Sequence, residues 1–170
     1  MNQIEVEPAG KVRLAAGLPA SPWGDKQMPV VAQIAALPSR RDAAGDLQVL
    51  LVTSRTNRRW MLPKGWPMSG KSEAEAARVE ALEEAGVQGI IDQDPIGSYG
   101  YVKDRGQDTA RGARARVYAL EVTDQLDQWD EMHQRERRWM SPSDGALLVS
   151  EPDLSRFLLE VASRDGAKAS

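Results

Sequence analysis

The sequence contains no cysteine and only one histidine. The absence of cysteine excludes disulfide bonds, thiolate metal sites and a cysteine nucleophile, and it fits a reducing compartment. The histidine, His133, lies in the polar run WDEMHQRER, where we expect an exposed loop residue rather than a catalyst. Thiol chemistry is therefore ruled out, and histidine chemistry is not favoured.

Long apolar runs and an excess of positive charge are also missing. No stretch approaches the roughly 20 apolar residues needed to cross a bilayer, and the start MNQIEVEPAG carries acids without an apolar core of signal-peptide length. The formal net charge of -3 gives no general attraction for nucleic acid or an anionic membrane. We expect a cytoplasmic protein without membrane partners, do not favour nucleic acid as a ligand, and make no prediction of an oligomeric state.

The length of 170 residues suits one domain with a substantial core. Proline and glycine in residues 1–25 predict an irregular N-terminal arm. We expect a single domain at residues 26–165 and a short tail at residues 166–170. Apolar runs at 28–37 and 47–55 predict adjacent strands, and further strands flank the basic turn RGQDTARGAR. Helical spacing in DLSRFLLEVASR predicts a closing helix. The expected fold is an α/β or α+β sandwich with a mixed sheet between helices.

The clearest local signal is a helix with a defined start and end. Ser72 followed by Glu75 makes a capping box, and Gly86 is a C-cap. Three carboxylates fall within an arc of about 100° near the end of this helix, at Glu80, Glu83 and Glu84. We expect this acidic face to be separate from the face that packs.

The three carboxylates repel one another. Like charges at i,i+3 and i,i+4 cost a few tenths of a kcal/mol, and anions in the last turn oppose the helix dipole by about 0.3–1 kcal/mol. No lysine or arginine stands at helical spacing to offset this. A solvated acidic surface is the ordinary interpretation of a charge run. The alternative is a bound hard cation, Mg²⁺ or secondarily Mn²⁺, which would indicate phosphate chemistry.

The stretch from Gly65 to Val87 resembles the Nudix hydrolase box, in which Gly, five residues, Glu and seven residues precede Arg-Glu-aliphatic-any-Glu-Glu-any-Gly-aliphatic. The three glutamates and the C-cap glycine take their positions in that pattern. Two positions depart, because Lys71 replaces the first Glu and Val79 replaces the Arg. The two charges are missing together, so neither loss leaves an orphan charge. The neighbours Arg78 and Glu73 are candidates to substitute for them.

The resemblance implies a Nudix fold over about residues 26–165 and a Mg²⁺-dependent pyrophosphohydrolase acting on a small phosphorylated substrate. It implies metal ligands at four positions, Gly65 (through its carbonyl), Glu80, Glu83 and Glu84. The turn LPKG and the later stretch ERRWMSPSDGALLV are similar to the branch that hydrolyses diphosphoinositol polyphosphates and dinucleoside polyphosphates. Nucleoside diphosphate sugars and triphosphorylated RNA ends are less favoured substrates.

Several other side chains are candidates for the site. Cations suited to phosphate stand at Lys64, Arg58, Arg59, Lys103, Arg105 and Arg116. Candidates for the general base are Glu83 on the helix and, outside it, Glu131 and Glu136. Tryptophans that either stack on a base or pack in the protein are Trp60, Trp66, Trp129 and Trp139.

Two functions of other classes stay open. The first is a Nudix-fold module that binds a nucleotide without cleaving it, for which Lys71 and Val79 are the main support. The second is a structural domain whose acidic helix is only a solvated surface.

Overall fold

The computed structural model describes residues 30–103 and 111–168. In chain order, the elements are β1 (Val30–Arg41), β2 (Leu47–Thr53), β3 (Trp60–Met61), β4 (Lys64–Gly65), α1 (Glu73–Ala85), β5 (Val87–Ile91), β6 (Gly97–Lys103), β7 (Arg111–Gln125), β8 (Arg137–Met140), α2 (Pro142–Leu148) and α3 (Pro152–Lys168). The predicted arm and Arg105 lie outside the described residues. Helix α3 continues to Lys168, into the segment predicted as a tail, and the domain boundaries stay a prediction.

The strands form one mixed sheet in the order β3-β2-β1-β7-β5. Strands β1 and β7 pair in parallel, and the other pairs are antiparallel. Strand β1 pairs with β2 only near its end, at residues 39–41, whereas β4 pairs with it at Ile34 and Ala35. The two residues of β4 therefore enter the sheet beside its central strand.

Apolar side chains cover both faces of the sheet. Along β2, Val49 and Leu51 pack on one face, and Leu50 and Val52 pack on the other. Helix α3 covers the first face with Leu154, Phe157 and Leu158. Helix α1 covers the second with Ala74, Ala76, Ala77, Ala81 and Ala85. Burial on both faces explains the continuous apolar runs in the sequence, and the predicted sandwich of a mixed sheet between helices is confirmed.

Helix α1 begins and ends where its sequence predicts. The Ser72 side chain accepts a hydrogen bond from the Glu75 backbone N–H at 3.1 Å. Gly86 has a φ of 64°, the left-handed conformation that glycine adopts without strain. A Cβ at Gly86 would also lie 2.7 Å from the Trp129 ring. Among the residues described, no helix is both long and apolar enough to cross a bilayer.

Candidate active site

The three glutamates near the end of α1 lie in three different environments. Glu83 is exposed, Glu80 is partly buried, and Glu84 is only 6% exposed. Glu84 shares its helix face with Ala77 and Ala81, which pack against the sheet. The expectation that the acidic face is separate from the packing face is therefore wrong, because the alanine stripe that packs carries Glu84 into the protein.

Arg135 supplies the positive charge that the helix itself lacks. Its side chain is 5% exposed and donates to Glu84 Oε1 at 3.1 Å, to Glu131 Oε2 at 2.6 Å and to the Thr53 carbonyl at 2.9 Å. A buried guanidinium with three acceptors has the hydrogen bonding that a buried charge requires. Arg135 lies 51 residues beyond Glu84, so helical spacing could not reveal it.

The two more buried glutamates have raised pKa values. Burial raises the pKa of Glu80 to about 7, and the nearby charges of Glu83 and Glu131 add to the rise. Burial also raises the pKa of Glu84 to about 7, with Arg135 opposing the rise and Glu80 adding to it. A cation close to both groups would favour their ionised forms.

Strand β4 holds its backbone against both carboxylates. A Cβ added to Gly65 would overlap the Glu80 carboxylate, so any larger residue at this position would displace that carboxylate. The backbone N–H of Lys64 donates to Glu84 Oε2 at 3.3 Å. The box glycine and the box helix are thus in direct contact, as the resemblance implies.

The donor set suits a hard divalent cation. All of the candidate ligand atoms are oxygens. The carboxylates of Glu80 and Glu84 are the main candidates, and Glu83 and the Gly65 carbonyl are near them. Within residues 30–103 and 111–168, however, no three acidic or histidine side chains converge as ligands of one ion. Arg135 occupies Glu84 Oε1, and a cation must compete with it for that oxygen. The predicted ligand atoms are therefore of the type that Mg²⁺ prefers, and the ligand set stays a prediction.

Side chains from a later segment cover the end of α1. The indole N–H of Trp129 donates to the Glu84 carbonyl at 3.1 Å, and Arg137 donates to the Ala85 carbonyl at 2.9 Å. The Glu131 backbone N–H donates to the Glu83 carbonyl at 3.2 Å. These donors satisfy carbonyls that a helix end leaves without partners, and they fix the segment that carries Arg135.

Among the predicted bases, the structure brings Glu131 close to the box. Its carboxylate accepts from Arg135, and its charge contributes to the raised pKa of Glu80. Glu136 is exposed instead, and its carboxylate accepts from Arg58 at 3.0 Å. His133 is exposed in the same turn region, as expected for a loop histidine.

The residues beside the two vacant box positions do not replace the missing pair. Arg78 donates to Glu75, one turn earlier on the helix. Glu73 accepts from the Tyr118 hydroxyl at 2.6 Å on strand β7. The hypothesis that Arg78 and Glu73 substitute for the missing charges is therefore wrong, because each has a different partner. The arginine that holds a box carboxylate here is Arg135.

A cavity of about 180 Å³ lies on the sheet face that α3 covers. Three of the predicted phosphate-binding cations line it, namely Arg59, Lys64 and Lys103. Two others have structural partners, since Arg58 pairs with Glu136 and Arg116 pairs with Glu73 at 3.3 Å. Arg105 lies outside the residues described. Burial lowers the pKa of Lys64, and the nearby negative charge of Glu84 partly opposes this shift.

A sequence profile of the NUDIX domain matches residues 32–161. The chain belongs to the Nudix family. Nudix hydrolase 13, mitochondrial, of Arabidopsis thaliana is 32% identical over 75% of this chain and 67% of its own length. Diphosphoinositol polyphosphate phosphohydrolase 3-beta of Bos taurus is 34% identical over 57% of each chain. The crystal structure of a C. elegans Ap4A hydrolase binary complex matches with a TM-score of 0.62 and 20% identity, covering 81% of this chain and 98% of that chain, which shows the shared fold.

These similarities confirm the resemblance to the Nudix family and to its polyphosphate-hydrolysing branch. The relatives are named hydrolases, which supports an enzyme that acts on phosphoric anhydride bonds. The Nudix chain spans 67% of the length of Nudix hydrolase 13 and 60% of the length of Nudix hydrolase 12.

The predicted cytoplasmic location is contradicted by the relatives of this Nudix protein. Nudix hydrolases 12, 13 and 16 of Arabidopsis thaliana are all named as mitochondrial. The prediction relied on the lack of an apolar leader. That absence does not bear on mitochondria, because mitochondrial targeting segments are amphipathic and rich in arginine rather than continuously apolar.

Proposed function

We propose that this Nudix protein is a Mg²⁺-dependent pyrophosphohydrolase that cleaves a diphosphate linkage in a nucleoside-diphosphate-X substrate. Dinucleoside polyphosphates and inositol pyrophosphates are the leading substrates, in line with the names of the Bos taurus and C. elegans relatives. The observation that carries the proposal is the pair Glu80 and Glu84, two carboxylates with raised pKa values held against the box loop at Gly65.

The carboxylates of Glu80 and Glu84 would hold the cation, with Glu83 and the Gly65 carbonyl as further ligands. A bound Mg²⁺ supplies charge for the diphosphate and lowers the pKa of a water molecule. Arg135 keeps Glu84 and Glu131 oriented through its two charge-assisted hydrogen bonds.

Glu131 is the group we assign to accept the proton of the attacking water. Its carboxylate lies near Glu80 and accepts a hydrogen bond from Arg135 at 2.6 Å, which holds the carboxylate in a fixed orientation. Glu83, exposed at the same helix end, is the alternative base. Replacing each by glutamine distinguishes them, because loss of the base lowers kcat and removes the acidic limb of the pH profile.

We infer that Lys64 holds a phosphate oxygen of the substrate. In the described part of the chain, its ammonium has one hydrogen-bond partner, the Met61 sulfur at 3.5 Å. A thioether is a weak acceptor, and burial lowers the pKa of Lys64. A phosphate oxygen at this position would provide the strong acceptor that the ammonium lacks and would restore its charged form.

A nucleotide-binding module without hydrolysis is the second candidate function. One observation favours it, since Arg135 already occupies an oxygen of Glu84 and could reduce metal binding. In that case the protein binds the substrate and releases no product with either Mg²⁺ or Mn²⁺.

The test is hydrolysis of a panel of dinucleoside polyphosphates, inositol pyrophosphates and nucleoside diphosphate sugars with Mg²⁺ or Mn²⁺. We expect Glu80→Gln to lower kcat by about 100-fold or more, because residues that merely support metal ligands already cost 10–100-fold. Glu75→Gln is the matched control on the same helix, since its carboxylate accepts hydrogen bonds from Arg78 and not, among the described residues, from the other residues of the site. Equal activity in Glu80→Gln and the wild type would refute the proposal.

A further inference from the structure

The turn between β2 and β3 contains a backbone conformation that its residue does not favour. Arg58 has a φ of 53°, and among the described residues it is the one non-glycine residue with a positive φ. For a residue with a side chain, this left-handed region is unfavourable and persists only where the surrounding structure holds it. Contacts elsewhere in the structure must therefore keep Arg58 in place.

A glutamate from a distant segment provides such a contact. The Arg58 guanidinium donates to Glu136 Oε1 at 3.0 Å. The Glu136 backbone is itself fixed, since its carbonyl accepts from the Thr53 N–H at 3.0 Å and its N–H donates to Thr53 Oγ1 at 2.9 Å. Thr53 is the last residue of β2 and is 1% exposed. The Glu136 carboxylate is thus held at the base of the turn, where it pairs with Arg58.

The next residue, Arg59, faces the cavity. It lines the cavity together with Ser54 and Asn57 of the same turn. The Arg59 backbone N–H donates to Ser54 Oγ at 3.0 Å, and the Arg59 carbonyl accepts from the Ser54 N–H at 2.7 Å. These two bonds close the turn at Arg59. The conformation of Arg58 therefore decides how the chain enters Arg59 and which way the Arg59 side chain faces.

The two neighbouring arginines have different surroundings. Arg58 is engaged by Glu136. In the described part of the chain, the hydrogen bonds of Arg59 are those of its backbone. A guanidinium binds phosphate oxygens through paired hydrogen bonds, so its orientation has to match the ligand. One arginine holds the turn, and the other presents its guanidinium to a ligand in the cavity.

We propose that Glu136 and Arg58 are positioning residues, which hold the turn between β2 and β3 in the conformation that directs Arg59 to a phosphate group of the substrate. The inference rests on the proposed function for the presence of a phosphate in the cavity. It assigns Glu136 a role other than that of general base, because the Glu136 carboxylate is exposed and paired with Arg58.

The kinetic test measures KM and kcat for a dinucleoside tetraphosphate with Mg²⁺ on the full chain. Exposed ion pairs are weak, so we expect Glu136→Gln to raise KM by about 2- to 5-fold with kcat unchanged. Asp165→Asn is the matched control and should change neither value, because Asp165 pairs with Arg41 at 2.6 Å and neither residue lines the cavity. A lowered kcat with an unchanged KM in Glu136→Gln would identify Glu136 as the base and overturn the inference.

Two comparisons show whether the effect passes through Arg59. Arg59→Ala should raise KM by about 10-fold, because it removes a charge-assisted hydrogen bond to phosphate. Adding Glu136→Gln to Arg59→Ala should raise KM no further, since the two changes act on one contact. Arg58→Gly should raise KM less than Arg58→Ala, because glycine adopts the left-handed conformation without strain. Additive effects of Glu136→Gln and Arg59→Ala, or equal KM values for the two Arg58 variants, would overturn the inference.

A binding test separates the inference from the hydrolase. Methylenediphosphonate, a diphosphate analogue that water does not cleave, is titrated into the full chain with Mg²⁺ by calorimetry. We expect Glu136→Gln to weaken its binding by the factor by which it raises KM. If nothing is hydrolysed but Glu136→Gln and Arg59→Ala weaken this binding as expected, the hydrolase is refuted while the positioning role stands. If hydrolysis proceeds and Glu136→Gln changes neither KM nor binding, the positioning role is refuted while the hydrolase stands.

Discussion

Replacing Arg135 by methionine would leave Glu84 buried without its cation. The two side chains are 5% and 8% exposed, so little water is available to replace the lost partner. Removing one member of such a pair costs about 3–5 kcal/mol. Methionine keeps much of the side-chain volume, so the loss reports the charge and its hydrogen bonds more than a cavity.

The loss should depend on pH in a defined direction. With Arg135 present, the pKa of Glu84 is about 7, above the ordinary value, and without Arg135 it rises further. A group whose pKa is raised by folding destabilises the protein as pH increases from the unfolded pKa through the folded one. The variant is therefore closest to the wild type near pH 5 and falls furthest below it at pH 8.

Urea unfolding without metal at pH 5 and pH 8, followed by circular dichroism, measures this effect. Arg55→Met is the control, because Arg55 is 60% exposed and lies 3.7 Å from Glu131, which predicts a change within about 1 kcal/mol. Adding Glu84→Gln to Arg135→Met should recover part of the loss, since it removes the unpaired charge. A loss below about 1 kcal/mol at pH 8, or the same loss at both pH values, would refute the pairing as the reason for the buried arginine.

Three further outcomes are expected. Gly65→Ala should lower the rate of hydrolysis at least 10-fold, because the new Cβ displaces the Glu80 carboxylate. Gly112→Ala is the control and should not lower the rate, because its Cβ meets nothing within 4 Å. Equal rates for the two variants would contradict a role for the contact between Gly65 and Glu80. The metal-free wild type should be more stable at pH 5.5 than at pH 8, because the raised pKa values of Glu80 and Glu84 destabilise it as pH rises. Adding Mg²⁺ should raise the Tm mainly at pH 8, where both carboxylates are more ionised. A Tm of the metal-free protein that does not change with pH would contradict the raised pKa values. Tyr118→Phe should lower the free energy of unfolding by about 1.5–3 kcal/mol, because the Tyr118 hydroxyl donates to the Glu73 carboxylate. The value of kcat should not change, and a lowered kcat would instead place Tyr118 in the active site.

The helix of the box was predictable because its signals are local. Ser72, Glu75 and Gly86 stand at spacings that fix a start and an end without any other part of the chain. The buried position of Glu84 was also readable, since it follows Ala77 and Ala81 on the stripe of small residues that packs. The expectation of an acidic face separate from the packing face was wrong because a charged side chain can lie on a packing face when a buried partner such as Arg135 pairs with it.

The cations show a different limit of the sequence. Arg116 alternates with Ala115 and Val117 along β7, so the strand period directs it to the α1 side, away from the cavity. Arg135 had no such signal, because its contacts with Glu84 and Thr53 join segments far apart in the chain. Only the folded sheet brings them together.

The most direct test of the central claim is the rate of product release from a dinucleoside tetraphosphate as Mg²⁺ is titrated, for the wild type and Glu80→Gln. The account predicts a rate that rises with Mg²⁺ and saturates in the wild type. It predicts a rate lowered by about 100-fold or more in the variant, with the fold preserved by circular dichroism. A wild-type rate independent of Mg²⁺, or the same titration curve for both proteins, would contradict it.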